Sequence, residues 1–298
     1  MDFGGLHLDH LQFFEGVLFE CLGTETSVRD YFFLSGGCVN QAVQVTCTAG
    51  EFFVKWNETT TGEEMFACEA RGLNLLHKTG EIGIPEVLGY GKYAQRAYLV
   101  LEFLPTVRPR ADYWEKLGES LARLHRHTQP QFGLDSDNFI GSLPQNNSEL
   151  ANGIDFFIER RIKAQAGLAL YNHAMPHDLY DRLLKFCDRL PELLPSEPPA
   201  LLHGDLWSGN VLPGPDGYAR LIDPAVHYGL REAEIAFTQL FGGFETDFYS
   251  AYTENYPLLP GFAQRAELYN LYPLLVHANL FGAGYLAGVE RVVKKYVG

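Results

Sequence analysis

The sequence predicts an α+β fold of two lobes: a small antiparallel-sheet lobe with one long helix over residues 1–104, and a larger, mainly helical lobe over residues 105–298. Short runs rich in aromatic and β-branched residues are concentrated before residue 104, whereas apolar residues at helical spacing dominate the rest. Pro105 lies between the two patterns and cannot easily extend a central strand, so we place the lobe boundary there. A chain of 298 residues also exceeds the usual length of one domain.

The small lobe is predicted to contain five strands and a helix. The strand-like runs are residues 31–34, 42–47, 51–56, 84–90 and 96–103, with a hairpin turn at 48–50. A helix is predicted over residues 63–78, and Gly80 then marks its end. Its apolar face consists of Phe66, Ala70, Leu73 and Leu76.

The large lobe is predicted to be helical around its polar motifs. Leu117, Leu121 and Leu124 share one helical face, and further helices are predicted over residues 156–170 and 177–190. The Pro-rich segment 195–200 ends the last of these helices. The most apolar stretch, 271–289, is interrupted by a proline, polar residues and three glycines, so it predicts buried helix rather than a membrane span.

Composition excludes several classes of function. A net charge of −14 and a pI near 5.1 argue against nucleic acid or an anionic membrane surface as the main partner, because both select for clustered Lys and Arg. The N-terminal MDFGGLHLDH lacks the pattern of a signal peptide, so we expect a soluble cytoplasmic protein, either a monomer or a homodimer. Reduced thiols are predicted because the five cysteines contain no C-x-x-C pair: Cys21, Cys38, Cys47, Cys68 and Cys187.

Two polar motifs follow short apolar runs late in the chain. Residues 201–212 read LLHGDLWSGNVL and residues 221–229 read LIDPAVHYG. Asp205 precedes Asn210 by five positions, the spacing of the base and the metal-binding Asn in the catalytic loop of protein kinases. Asp205 is suited to accept the proton of an attacking hydroxyl, and Asn210 and Asp223 to hold Mg²⁺ against the phosphates of ATP. These motifs predict a kinase active site.

The small lobe carries residues suited to binding ATP. Lys55 on the third strand and Glu69 on the following helix predict an ion pair that positions the α- and β-phosphates. Taken alone, this pair fits a solvated surface pair, and the paired glycines fit an ordinary hairpin turn. Their order before the catalytic loop favours nucleotide binding. The other candidates are the glycine-loop residues Gly36, Gly37, Cys38, Val39 and Asn40, and Glu102, Phe103 and Leu104 at the proposed hinge.

Several segments resemble the fructosamine kinase and ketosamine-3-kinase family of the aminoglycoside-phosphotransferase-like, protein-kinase-like superfamily. The resemblance is carried by HGDLWSGN at 203–210, IDPAVHYG at 222–229, LFGGF at 240–244, the GGC and FVKWN of the small lobe, and FGLDSDNFIGSLPQNN at 132–147. It implies an enzyme that uses ATP and Mg²⁺ to phosphorylate a sugar hydroxyl of ketosamines, either small adducts or glycated protein side chains, and so promotes deglycation. It further implies Trp207 as a wall of the sugar site, and His277 and Asn279 as polar groups of the acceptor pocket.

The sequence departs from the family pattern at residues 227–235, which read HYGLREAEI. An aromatic residue is expected at position 227, a polar residue at 230 and Asp at 234, where this chain has His227, Leu230 and Glu234. Cys38 matches a family feature that suggests redox control through an intermolecular disulfide, although many such cysteines are simply small residues that fit the loop.

Alternative functions stay open at this point. Another small-molecule kinase of the superfamily, acting on choline, homoserine or an aminoglycoside, shares the catalytic residues. A non-catalytic ATP-binding protein is a second alternative, and an ATP-using ligase or nucleotidyltransferase a third. The choice of ketosamine and of the 3- or 4-hydroxyl is not fixed by the sequence.

Overall fold

The computed structural model describes residues 3–34 and 40–297. Its first elements are α1 (Phe3–Leu22), β1 (Val28–Phe33), β2 (Gln41–Cys47), β3 (Gly50–Asn57), α2 (Gly62–Thr79), β4 (Val87–Tyr93) and β5 (Arg96–Glu102). The five strands form an antiparallel sheet in the order β1-β2-β3-β5-β4. A two-residue turn at Thr48 and Ala49 joins β2 to β3, as the sequence predicts, because Cys47 pairs with Gly50.

Helix α2 matches the predicted helix closely. Its predicted apolar face is buried, with Phe66, Ala70, Leu73 and Leu76 each at most 1% exposed. The helix ends where Gly80 takes a left-handed conformation (φ 67°) and its N–H donates to the carbonyl oxygen of His77. Glycine adopts this conformation without steric penalty, which is why it stops helices so often.

Helix α1 is an element that the sequence interpretation did not identify. Its residues Phe13, Phe14, Val17 and Leu18 are buried against the sheet, beside Val54 and Trp56 among others. Apolar and aromatic residues recur along this segment without a clean polar face, so its helical period is weak in the sequence. Packing on the sheet, rather than amphipathic pattern, holds this helix.

The remaining described chain is mainly helical. Its helices are α3 (Tyr113–Leu124), α4 (Gly153–Phe156), α5 (Lys163–Tyr171), α6 (His177–Cys187), α7 (Leu190–Leu193), α8 (Arg231–Leu240), α9 (Thr246–Asn255), α10 (Phe262–Tyr269), α11 (Leu271–Phe281) and α12 (Leu286–Val297). A π-helical turn, Phe157–Ile162, joins α4 to α5. The short strands are β6 (Asn138–Ile140), β7 (Leu143–Gln145), β8 (Ala200–Leu202), β9 (Val211–Pro213), β10 (Ala219–Leu221) and β11 (His227–Gly229).

The predicted buried helix over residues 271–289 is two helices, and this part of the prediction is corrected. Gly282 ends α11 with φ 107°, a value in the region that favours glycine. Helix α12 begins four residues later and buries Leu286, Val289 and Val292. Among the described residues, no helix is long and apolar enough to cross a membrane.

The chain divides into two compact units. The first comprises Met1–Pro109 with Leu212–Ile222, and the second comprises Arg110–Val211 with Asp223–Gly298. Segment Leu212–Ile222 returns to the first unit, where Leu221 N–H donates to the carbonyl oxygen of Gly83 at 3.0 Å. The sequence prediction placed a single boundary between residues 104 and 105, and this returning segment leaves no local signal in the sequence.

Candidate active site

The loop after β8 carries the predicted base. Strands β8 and β11 pair antiparallel, so the apolar run Ala200–Leu202 is anchored before the loop begins. A single 3₁₀ turn, Ser208–Asn210, then returns the chain toward Asp205. The Asn210 Nδ2 group donates both to the Asp205 backbone oxygen (2.8 Å) and to Asp205 Oδ2 (3.0 Å). The five-residue spacing read from the sequence therefore brings these two side chains into direct contact.

The environment of Asp205 suits a general base. The residue is half-buried, and burial raises the pKa of its carboxyl to about 7, while the hydrogen bond from Asn210 lowers it and the charges of Asp223 and Glu234 raise it. A base with a pKa near the operating pH is efficient, because it is deprotonated in much of the enzyme yet still holds a proton well.

Asp223 and Asn210 offer oxygen atoms of the kind that Mg²⁺ prefers. Asp223 is exposed and has φ +55°, a left-handed conformation that only a rigid surrounding sustains in a residue other than glycine. Because the amide nitrogen of Asn210 faces Asp205, its amide oxygen is the atom left to bind a cation. No group of three or more His, Cys, Asp or Glu that could hold a metal occurs in the described part of the chain.

A buried carboxylate fixes the catalytic loop from behind. Glu234 on α8 accepts hydrogen bonds from the backbone N–H groups of His203 (3.2 Å) and Gly204 (2.6 Å). It also accepts one, at 2.9 Å, from Nε2 of His125, the residue that follows α3. Burial would raise the pKa of Glu234, but the hydrogen bonds that it accepts from His125 and from the Gly204 N–H lower it overall. The sequence interpretation treated Glu234 only as a departure from a family pattern and did not single out His125.

His125 is itself held in place by a chain of donors. Arg231 Nη1 lies 3.4 Å from the Tyr252 hydroxyl oxygen, and that hydroxyl lies 2.7 Å from His125 Nδ1. Because Glu234 can only accept, His125 carries its proton on Nε2, and the Tyr252 hydroxyl donates to Nδ1. These groups are at most 4% exposed, so each is dry and fixed.

The first unit contains the predicted ion pair. Lys55 Nζ on β3 lies 2.8 Å from Glu69 Oε1 on α2, and the two side chains are 8% and 14% exposed. This excludes the solvated surface pair that the sequence left open. The pair thus has the geometry that positions phosphates in kinases.

The other predicted nucleotide residues are placed as follows. Gly36, Gly37, Cys38 and Val39, including the proposed redox site, lie outside the described residues. The side-chain oxygen of Asn40 accepts from Asn57 Nδ2 at 2.7 Å.

At the end of β5, the Glu102 N–H donates to the carbonyl oxygen of Glu86 at 2.9 Å, so that donor is used within the sheet. Phe103 and Leu104 follow the strand and are half-buried.

The predicted acceptor residues separate in the structure. Trp207 is 40% exposed beside the base. His277 lies within an aromatic cluster, its ring centroid 4.7 Å from that of Phe241, and burial lowers its pKa. Asn279 instead donates to the backbone and side-chain oxygens of Gln165 at 3.0 and 2.8 Å, and so connects α11 to α5.

A pocket in the second unit contains Asp205. It is lined by aromatic and aliphatic side chains with a few polar groups: Ile140, Phe156, Phe157, Arg161, Leu202, Gly204, Asp205, His227, Gly229, Leu230, Ala233, Glu234, Phe237, Tyr269, Tyr272, Pro273, Val276 and His277. A mainly apolar cavity with a few polar groups is the usual form of a small-molecule site. His277 therefore lines the same pocket as Asp205, and Asn279 is not among the lining residues.

The LFGGF segment approaches the catalytic loop directly. Gly243 has φ +95°, and a Cβ at this position would lie 2.5 Å from the Ser208 side chain. Only glycine permits this approach. The segment is therefore shaped to pack on the catalytic loop.

Comparison with known proteins identifies the family of this chain. The family model for fructosamine kinase matches residues 12–298. A Synechocystis protein assigned as a probable ketoamine kinase is 40% identical over 263 residues, which cover 88% of each chain. The solved structure of a Haemophilus somnus protein assigned as a fructosamine-3-kinase superposes with a TM-score of 0.86 at 30% identity and covers 96% of this chain and 97% of that one.

A more distant structure shows the fold class. The aminoglycoside phosphotransferase APH(4)-Ia, in complex with ADP and hygromycin B, has a TM-score of 0.63 at 18% identity and covers 95% of this chain and 99% of its own. The predicted two-lobed, protein-kinase-like fold is thus confirmed. With the family model spanning nearly all of it, the chain belongs to the fructosamine kinase family.

Proposed function

We propose that this chain transfers the γ-phosphoryl group of ATP to a sugar hydroxyl of a ketosamine, with Asp205 as the catalytic base. The observation that carries the proposal is the environment of Asp205. This residue is held by Asn210, its carboxyl has a pKa near neutrality, and it lines a pocket of aromatic and polar groups. The family and the ketoamine kinase relative support a ketosamine as the acceptor.

In this mechanism the acceptor hydroxyl attacks the γ-phosphorus in line. The new O–P bond forms as the bond to the leaving oxygen of ADP breaks, and Asp205 takes the hydroxyl proton. The products are ADP and a sugar phosphate ester, with no covalent enzyme intermediate. When bound, Mg²⁺ neutralises phosphate charge, and Asn210 and Asp223 are the residues that would hold it.

The first unit supplies the nucleotide side of the proposal. Lys55, kept in place by Glu69, binds phosphate oxygens as a buried cation. Gly36, Gly37, Cys38, Val39 and Asn40 belong to the proposed phosphate loop, and Glu102, Phe103 and Leu104 to the proposed adenine edge. Because the Glu102 N–H is already bonded to Glu86, we assign adenine contacts to the backbone of Phe103 and Leu104 and to the Glu102 carbonyl oxygen.

On the acceptor side, Trp207 and His277 are the proposed sugar contacts. The exposed indole of Trp207 can pack on the apolar face of a sugar, and His277 lines the pocket that contains Asp205. Asn279 acts on the acceptor only indirectly in this proposal, through the helix that it ties to Gln165. Free adducts and glycated protein side chains both present the reacting hydroxyl, and the phosphorylated adduct then loses its amine.

The test is ADP release with Mg²⁺ and a panel of fructosyl-lysine, ribulosyl-lysine, choline and an aminoglycoside. We expect turnover of a ketosamine, reduced by about 10²–10⁴-fold in Asp205→Asn, which keeps the size of the side chain but removes the base. ATP binding, measured by calorimetry, should persist in the variant.

Other outcomes redirect the assignment. If only choline or the aminoglycoside is turned over, the protein is a kinase with a different acceptor. ATP binding without any turnover would favour a binding protein, and AMP instead of ADP among the products would indicate adenylyl transfer.

A further inference from the structure

Arg161 is a buried cation whose partners are all neutral. It is 1% exposed and lines the pocket that contains Asp205. Its Nη1 donates to the carbonyl oxygens of Asn146 (2.7 Å) and Arg160 (3.2 Å), and its Nη2 to the side-chain oxygen of Asn147 (2.7 Å). Its Nε–H has no acceptor. Burying an unsatisfied donor on a cation costs free energy. An arginine buried in this way is therefore more consistent with a ligand-binding role than with a purely structural one.

The local helix is shaped around this side chain. Arg161 lies in the π-helical turn Phe157–Ile162, and such turns occur often at functional sites. The guanidinium carbon lies 4.6 Å from the centre of the Phe156 ring and 5.7 Å from that of Tyr272, which hold it in place. Both rings line the same pocket. Arg161 is therefore a fixed donor rather than a mobile surface charge.

His227 provides an acceptor on the same pocket. The ring is 6% exposed, and its Nδ1 lies 3.1 Å from the carbonyl oxygen of Ala225. A carbonyl only accepts, so Nδ1 carries the proton and Nε2 of the neutral ring has a free lone pair. Burial, and then the charge of Arg161, lower the pKa of His227 well below its ordinary value and keep the ring neutral. Nε2 receives no hydrogen bond from any residue that the structure describes.

The two residues are linked through one aromatic ring. The ring centroids of Phe156 and His227 lie 5.9 Å apart, and the guanidinium carbon of Arg161 lies 4.6 Å from the Phe156 centroid. The pocket therefore contains one unused donor and one unused acceptor, both on rigid buried side chains. The hydroxyl groups of a sugar can use both, because a hydroxyl accepts from N–H and donates to a lone pair.

We propose that Arg161 and His227 form a specificity site for further hydroxyl groups of the acceptor sugar, distinct from the hydroxyl that is phosphorylated. This inference rests on the proposed function and adds to it a preference for polyhydroxylated acceptors. A carboxylate would accept from Arg161 but face the lone pair of His227, and an ammonium group would face the positive charge of Arg161. A neutral sugar chain satisfies both.

A phenyl ring at position 227 would keep the packing against Phe156 but lose the acceptor. In this proposal His227 therefore tunes the choice of acceptor and takes no part in the chemical step.

The test compares fructosyl-lysine with its monodeoxy derivatives, each lacking one chain hydroxyl. The derivative without the phosphorylated hydroxyl is no substrate and identifies that position. Among the others, we expect one whose kcat/KM in the wild type is lower by about tenfold or more, because a site built for a hydroxyl rejects the analogue that lacks it. His227→Phe should lower kcat/KM for the parent to the level of that derivative and leave the derivative itself unchanged.

Two further variants give controls. His227→Gln restores an acceptor near the position of Nε2 and should recover part of the preference. His177→Phe makes the same replacement at an exposed helix position and should keep the wild-type preference. Arg161→Lys should weaken discrimination against at least one derivative that lacks a non-reacting hydroxyl, and thermal unfolding shows whether the variant still folds. If it does not fold, the His227 variants decide alone.

The results separate two failures. If His227→Phe lowers activity equally on parent and derivatives, or if the wild type does not discriminate, the specificity site is overturned while the kinase assignment stands. If no ketosamine is phosphorylated at all, the proposed function fails and this inference fails with it.

Discussion

The phosphate-side pair in the first unit and the base loop in the second are built in opposite ways. Lys55 and Glu69 lie on a strand and a helix, and an ion pair of 2.8 Å joins their side chains. Asp205 lies on an irregular loop, whose backbone is fixed by Glu234 from another part of the chain. The first arrangement positions a side chain through a side chain. The second fixes the backbone of the loop, and Asn210 then holds the Asp205 side chain.

The difference has an energetic meaning. A buried ion pair adds little net stability, because the loss of hydration offsets much of its attraction, but breaking it leaves a costly single charge. A carboxylate that accepts from backbone N–H groups instead satisfies donors that the loop would otherwise bury unpaired. Stability and activity should therefore be separable at Lys55 and coupled at Glu234.

The largest effect should come from the ion pair. Lys55→Met removes the cation proposed to contact phosphate, so we expect kcat/KM for ATP to fall by about 10²–10³-fold. It also leaves Glu69 buried without this partner, at a cost of about 3–5 kcal/mol in the free energy of unfolding. The double variant Lys55→Met/Glu69→Leu should recover most of that stability but no activity. Recovery of activity in the double variant would contradict a role for Lys55 in binding phosphate.

A smaller effect is expected at the base loop. Glu234→Gln keeps one acceptor oxygen but turns an amide group toward backbone donors, so we expect kcat to fall by about 10–100-fold. The KM for ATP should stay unchanged. Unfolding should become easier by about 1–3 kcal/mol, because a buried N–H loses its acceptor.

Glu232→Gln is the matched control for Glu234→Gln. Glu232 is a fully buried carboxylate on the same helix, but it binds Arg265 and Tyr269 rather than the catalytic loop. Its replacement should lower stability while kcat stays near the wild-type value. Equal losses of kcat in both variants would show that Glu234 acts through general stability alone.

Many residues in this comparison could be predicted from the sequence, and those that could not be predicted were missed for a common reason. Lys55 and Glu69 were predicted because strand and helix periodicity placed them, and Asp205 and Asn210 because a fixed spacing joins them. His125 and Glu234 meet only because α3, α8 and the loop pack together, and their 109-residue separation carries no local signal. The same holds for α1, which is stabilised by the sheet that it covers.

The acceptor side shows the same limit within one helix. His277 and Asn279 were both predicted as pocket residues, and they lie two positions apart on α11. Residues at this separation point in different directions from a helix, so only one of them can face a given pocket. His277 lines the pocket, whereas Asn279 bonds Gln165. The sequence could not show which face of α11 lies toward the base, because this helix is apolar on most sides.

Acid should weaken the Glu234 anchor in a defined range. The pKa of Glu234 in the folded protein lies below its ordinary value of 4.5, so the ionised carboxylate contributes stability above about pH 4.5 and loses it as the pH falls through the folded pKa. The difference in free energy of unfolding between wild type and Glu234→Gln should be constant near neutrality and shrink below pH 4.5. A difference that grows toward acid pH would contradict this sign. Chemical denaturation at a series of pH values measures it.

The smallest effect should come from Tyr252, whose hydroxyl is bonded to His125. Tyr252→Phe removes the hydroxyl that donates to His125 Nδ1 but leaves the bond from His125 to Glu234 in place. We expect a loss of about 1–2 kcal/mol in stability from the unsatisfied nitrogen, with kcat within a few-fold of the wild type. If kcat instead fell as far as in Glu234→Gln, the orientation of His125, rather than the carboxylate, would be what holds the loop. The position of the base loop would then depend on the orientation of a side chain, as the position of Lys55 in the first unit does.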